Sequence, residues 1–74
     1  MSGRSGRRLT ISRGTWHGER AYWKRGRRIA DPRLIARLDA LAVPPAWTDV
    51  EIAASPSAKV QARGVDAAGR IQTI

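Results

Sequence analysis

Cysteine and phenylalanine are absent from this 74-residue chain, and histidine and methionine occur once each. Without cysteine there is neither a disulfide nor a thiolate nucleophile. His17 is then the sole remaining soft ligand, which leaves no donor set for a structural zinc. No run approaches the roughly 18 apolar residues of a membrane span, and the arginine-rich start lacks the apolar stretch of a signal peptide. A cytoplasmic protein is therefore expected. Carboxylates are scattered singly, no serine or carboxylate arrangement accompanies His17, and no glycine-rich phosphate loop is present. These absences argue against an active site in the chain, and no cofactor is expected.

What is present is a modest apolar set and an uneven charge. Apolar residues make up 42% of the chain, near the usual globular share, so a small core is possible. A chain of this length buries only about 60% of its unfolded surface, which limits it to one domain. The net charge is +8, and all of the excess lies in the first 30 residues. There Arg4, Arg7, Arg8, Arg13, Arg20, Lys24, Arg25, Arg27 and Arg28 face only Glu19. Arginine offers a planar fork suited to phosphate and guanine edges, so a nucleic-acid partner is the leading expectation. A solvated basic arm that merely keeps the protein soluble is the alternative.

Met1 to Arg8 is rich in Gly, Ser and Arg and has no apolar periodicity, so it reads as a disordered basic tail, with one domain over residues 9–74. Leu9-Thr-Ile11 reads as a short strand, with turns at Ser12-Arg-Gly14 and His17-Gly-Glu19. Ala21 to Lys24 reads as a strand, Arg25-Gly-Arg27 as a turn, and Arg28-Ile-Ala30 as a returning arm. Asp31-Pro32 is a helix start: the carboxylate can cap free N–H groups, and proline suits the first helical position. Leu34, Ile35, Leu38, Leu41 and Ala42 repeat at helical spacing, and Pro44-Pro45 forbid continuation, which predicts a helix over about 32–42. Asp49 to Ala53, Lys59 to Arg63 and Arg70 to Ile74 alternate as strands, separated by turns at Ser55-Pro-Ser57 and Gly64 to Gly69. The expected fold is α+β: a small antiparallel sheet of four to five strands with one main helix, and room for a second short helical turn.

Among the aromatics, Trp47 is placed to pin the end of the helix onto the sheet. Tyr22 and Trp23 point to opposite sides of a strand, so one is expected in the core. Trp16 is expected to be exposed. By strand parity Lys59, Gln61 and Arg63 share one face, and so do Arg70, Gln72 and Ile74, with Ile71 and Thr73 opposite. Gln and Arg are the side chains that bond adenine and guanine edges in a major groove, and a two-stranded ribbon can carry them there. An ordinary polar sheet face is the competing interpretation. Arg25, Arg27 and Arg28 are candidates for phosphate contacts.

Several stretches carry a family resemblance. Asp31-Pro32, the string Leu41-Ala-Val-Pro-Pro-Ala-Trp-Thr-Asp-Val50, Gln61-Ala-Arg-Gly-Val-Asp66 and Gly69-Arg-Ile-Gln72 resemble the N-terminal domain of bacterial, poxvirus-like type IB DNA topoisomerases. The resemblance covers about residues 20–72. It implies a mostly antiparallel sheet that forms one jaw of a clamp around duplex DNA. A separate C-terminal domain would carry the tyrosine and relax supercoils without ATP. On that view the chain is a monomer, inactive alone, nucleoid-associated, with duplex DNA and the catalytic domain as partners. Gln72, Arg70, Arg63, Gln61, Lys59 and Thr73 would meet DNA from the sheet. The chain departs from the family at Thr73 and Ile74, where aromatics are expected, at Ala68 and Ile71, where basic residues are common, and at Glu51, often aromatic. The alternative function is a non-catalytic protein-interaction module or degenerate remnant with a solubilising arm.

Overall fold

The computed structural model describes residues 9–74, so the expectation of a disordered tail at Met1 to Arg8 lies outside the described residues. Two hairpins open the fold. Strand β1 (Leu9–Trp16) pairs antiparallel with β2 (Glu19–Lys24), and β2 with the two-residue β3 (Arg27–Arg28). Both connections are two-residue turns with positive φ at both positions: His17 (53°) and Gly18 (80°), then Arg25 (54°) and Gly26 (75°). That is the type I′ turn, whose twist matches the flanking strands. Helix α1 (Pro32–Ala40) follows, then β4 (Thr48–Ala53), β5 (Ala62–Val65) and β6 (Ile71–Thr73). The six strands lie in the order β3-β2-β1-β4-β5-β6, every neighbouring pair antiparallel.

The α+β expectation holds, with six strands in place of four to five. The greater length of the first strand has a physical cause at Gly14. Read as a turn residue, it lies inside β1, where a Cβ would come within 2.9 Å of the Trp23 ring. Glycine is there to admit the indole across the sheet, and β1 runs unbroken for eight residues.

The helix begins as expected, with the Asp31 side chain accepting from the Arg33 N–H at 3.0 Å and Pro32 at the first position. It closes two residues earlier than the prolines require, because Ala42 adopts a left-handed φ of 54°. A left-handed residue just past the last turn is the usual helix stop, here without glycine. In place of a second helical turn the chain makes a hydrogen-bonded turn, the Trp47 N–H donating to the Pro44 carbonyl at 3.1 Å.

The helix and the proline segment cover one face of the sheet. Ile11, Tyr22, Leu38, Val43, Val50, Ile52 and Ala62 form the core between them, with Leu34, Ile35, Leu41 and Trp47 packed around it. Trp47 takes the expected place because Gly64 leaves room: a Cβ there would stand 2.8 Å from its ring. Arg13 reaches under the same segment and donates to the carbonyls of Val43 (2.9 Å), Pro44 (3.0 Å) and Trp47 (3.0 Å). Burial lowers its affinity for the proton, with Arg20 adding a smaller push in the same direction. Of the aromatic pair on β2, Tyr22 is the buried one, at 3% exposure.

Candidate nucleic-acid interface

Directly opposed residues of an antiparallel sheet share a face. The register therefore traces one row across the uncovered face: Arg28, Trp23, Ser12, Glu51, Arg63 and Thr73. Arginines stand near both ends of this row. At about 4.8 Å per strand the outermost strands lie about 24 Å apart, so both edges can meet one partner only if it runs across the strands.

At the β3 edge the charge is uncompensated. Lys24, Arg25, Arg27 and Arg28 lie on or beside the second hairpin turn, Arg33 follows at the helix start, and none is in an ion pair among the described residues. The positive φ of Arg25 and the freedom of Gly26 hold this turn tight, which concentrates the charge at the tip. Arg28 lies 5.0 Å over the Trp16 ring, and Trp16 stacks on His17 with centroids 4.6 Å apart. Trp16 is 47% exposed, as expected, and forms a flat aromatic floor beside the arginines.

At the β6 edge every arginine is tied to a carboxylate. Arg63 bonds Glu51 at 2.6 Å, and Arg70 bonds Asp66 at 3.2 Å. Lys59, Arg63 and Thr73 surround an open hollow of about 380 Å³ with Leu9, Ala58 and Val60. Arg70 and Gln72 converge instead on Asp66, and Gln72 stands opposite Gly64 on the covered face. The candidate residues of the last two strands thus fall into two groups on opposite faces.

Gln61 joins neither group. Its N–H donates to the Ile74 carbonyl while the Ile74 N–H donates to Ala62, so two residues oppose one. Such a bulge breaks the alternation on which the parity argument rested. The Gln61 amide is turned toward the helix, accepting from Arg37 at 2.7 Å and donating to the carbonyls of Ala58, Ser55 and Pro56. Arg37 also donates to the carbonyls of Ala53 and Ala54, which ties α1 to the loop after β4. Helical spacing gives no sign of this network, because Arg37 lies outside the apolar set Leu34, Ile35, Leu38, Leu41 and Ala42. Asp66 falls in the expected Gly64 to Gly69 turn, and its spacing of four and six residues from Arg70 and Gln72 is the signal in the sequence for its further bonds.

Tyr22, the sole tyrosine, donates its hydroxyl to Asp39 at 2.7 Å, and burial first, then that bond, raise its pKa. Among the described residues no group of three or more His, Cys, Asp or Glu is placed to hold a metal ion, and no helix is long and apolar enough to cross a membrane.

Comparison with known proteins agrees with the pattern of these residues. No solved structure matches the chain. A stretch of 38 residues is 47% identical to the DNA topoisomerase 1B of Acanthamoeba polyphaga mimivirus, covering 51% of this chain and 11% of that protein. Residues 21–66, from the second hairpin through the proline segment to Asp66, match the family described as bacterial DNA topoisomerase IB, N-terminal domain, and the chain belongs to that family.

Proposed function

We propose that this domain binds duplex DNA as one jaw of a clamp, supporting ATP-independent relaxation of supercoils by a separate C-terminal catalytic domain. The observation that carries this reading is the cluster of cations at Lys24, Arg25, Arg27 and Arg28, without ion-pair partners among the described residues, within a chain of the topoisomerase IB N-terminal family. Charges already satisfied by carboxylates gain little from phosphate, whereas free arginines on a rigid turn release counterions when they meet it. The hairpin supplies phosphate affinity. Lys59, Arg63 and Thr73 supply contacts from the open face, Arg70 and Gln72 supply them from the opposite face at the sheet edge, and Gln61 supports them from inside. The domain acts as a monomer, in the nucleoid, beside its catalytic partner.

The domain alone is inactive on this reading. Tyr22 is buried against Asp39 with its pKa raised, so it is unsuited to attack a phosphodiester. Fluorescence anisotropy with a labelled duplex across a salt series tests the binding. Affinity should fall steeply with salt, each phosphate contact adding about 0.9 to the slope of log affinity against log salt. Affinity that does not change with salt, or binding confined by amide shifts to Met1 to Arg8, would overturn the proposal. Relaxation of supercoiled plasmid by the purified chain, abolished by Tyr22→Phe, would overturn the inactivity.

A further inference from the structure

Asp66 makes more hydrogen bonds than a turn requires. The loop between β5 and β6 is already closed by the backbone: the Asp66 N–H donates to the Arg70 carbonyl and the Gly69 N–H to the Asp66 carbonyl, each at 2.9 Å. Gly69, at φ 80°, provides the left-handed residue that ends such a loop. The Asp66 side chain adds four further bonds. Its Oδ1 accepts from the N–H groups of Ala68 and Arg70, each at 2.9 Å. Its Oδ2 accepts from Arg70 Nε at 3.2 Å and from Gln72 Nε2 at 2.9 Å. The first two belong to the turn. The last two hold the side chains of Arg70, just before β6, and Gln72, on it.

Those two bonds decide what Arg70 and Gln72 can offer a partner. An ionised carboxylate only accepts, so the Gln72 amide must turn its nitrogen toward Asp66; the flipped amide would set oxygen against oxygen. Its carbonyl oxygen and one N–H stay free. Arg70 is held through Nε, which leaves both terminal nitrogens of its fork unbound to Asp66. The Arg70 side chain is 73% exposed and that of Asp66 only 14%, so the carboxylate sits behind the groups it orients.

We propose that Asp66 is a positioning residue that sets the hydrogen-bonding sense of a two-residue readout at the start of β6, with Gln72 on the strand presenting an acceptor and Arg70 just before it a donor fork. This rests on the DNA-binding reading above. In a major groove the donors available to Gln72 are adenine N6 and cytosine N4, and the paired acceptors suited to Arg70 are guanine O6 and N7. Adenine also offers N7 to the free N–H of Gln72, so it satisfies both free groups where cytosine satisfies one. The sequence preference at this strand is adenine for Gln72 beside guanine for Arg70. Hydrogen bonds from the Arg70 backbone N–H and the Gln72 amide hold the Asp66 carboxyl below its ordinary range, so the arrangement persists at neutral pH.

Two measurements on the full chain test this separately. Without DNA, the side-chain amide resonances of Gln72 should shift in acid together with the titration of the Asp66 carboxyl, and Asp66→Asn should remove that shift. Gln72 resonances that ignore the Asp66 titration would overturn the proposal whatever happens with DNA. With DNA, selection from randomised duplexes should enrich adenine and guanine at two positions by about fivefold or more. Gln72→Ala should erase the adenine preference, and Asp66→Asn should flatten it, lowering affinity for the enriched duplex by more than for a non-preferred one. A purely structural Asp66 would instead lower affinity evenly across sequences. Salt-sensitive binding with no base preference overturns this proposal and leaves the clamp standing; absence of salt-sensitive binding overturns both.

Discussion

The two edges of the sheet carry the same residue type in opposite states. Around the β2–β3 turn Lys24, Arg25, Arg27 and Arg28 have no acidic partner among the described residues, whereas Arg63 on β5 and Arg70 just before β6 are each held by a carboxylate. A free arginine on a tight turn can follow a phosphate backbone and carries no sequence information. One fixed through Nε loses some of its net charge effect and gains a defined direction. On the proposed DNA-binding reading, the same side chain would serve affinity at one edge and discrimination at the other, and its neighbours decide which.

Substitutions can break this contrast. Replacing Arg25, Arg27 and Arg28 together with alanine should have the largest effect, lowering the slope of log affinity against log salt by up to about 2.7 if each meets a phosphate. Replacing Arg63 and Arg70 should change that slope by less than half as much; equal effects in a salt titration would erase the distinction between the edges. Gly64→Ala should damage the β5–β6 side through its scaffold, because the new Cβ would stand 2.8 Å from Trp47 and 3.1 Å from Val50. Overpacking of this kind costs about 1–3 kcal/mol, measurable by urea unfolding.

Acid should sharpen the comparison further. Hydrogen bonds lower the pKa of Asp66 in the folded state, so its contribution is fully present above the unfolded value of 3.8 and is lost as pH falls through the folded value. Unfolding followed from pH 5 downward should show stability falling below about pH 4, and Asp66→Asn should remove part of that fall. The smallest effect is expected at Glu51→Gln. The Arg63–Glu51 pair is half exposed, so its loss should change stability by less than about 1 kcal/mol while freeing Arg63 to strengthen DNA binding.

Local chemistry was legible where it acts within a few residues. Asp31 caps the helix because its carboxylate needs only the N–H two positions on, and Pro32 carries its own φ. The Arg25-Gly26 turn was legible for the same reason. Gly14 was not legible, because a glycine admitting a neighbour's indole and a glycine making a turn are the same residue in the chain; only the pairing of β1 with β2 tells them apart. Strand parity puts Gln61 on a different face from the one it takes, because its bulge is set by hydrogen bonds to Ile74, thirteen positions away.

The sequence by itself determined the α+β class, the helix and its cap, the basic first third and the family, since each depends on residue type and short spacing. Only the tertiary structure decided which arginines are free. Glu51 lies twelve residues from Arg63, and Arg13 reaches carbonyls thirty or more positions along the chain. Pairings of that length are made by strand register, which depends on how every strand is seated at once.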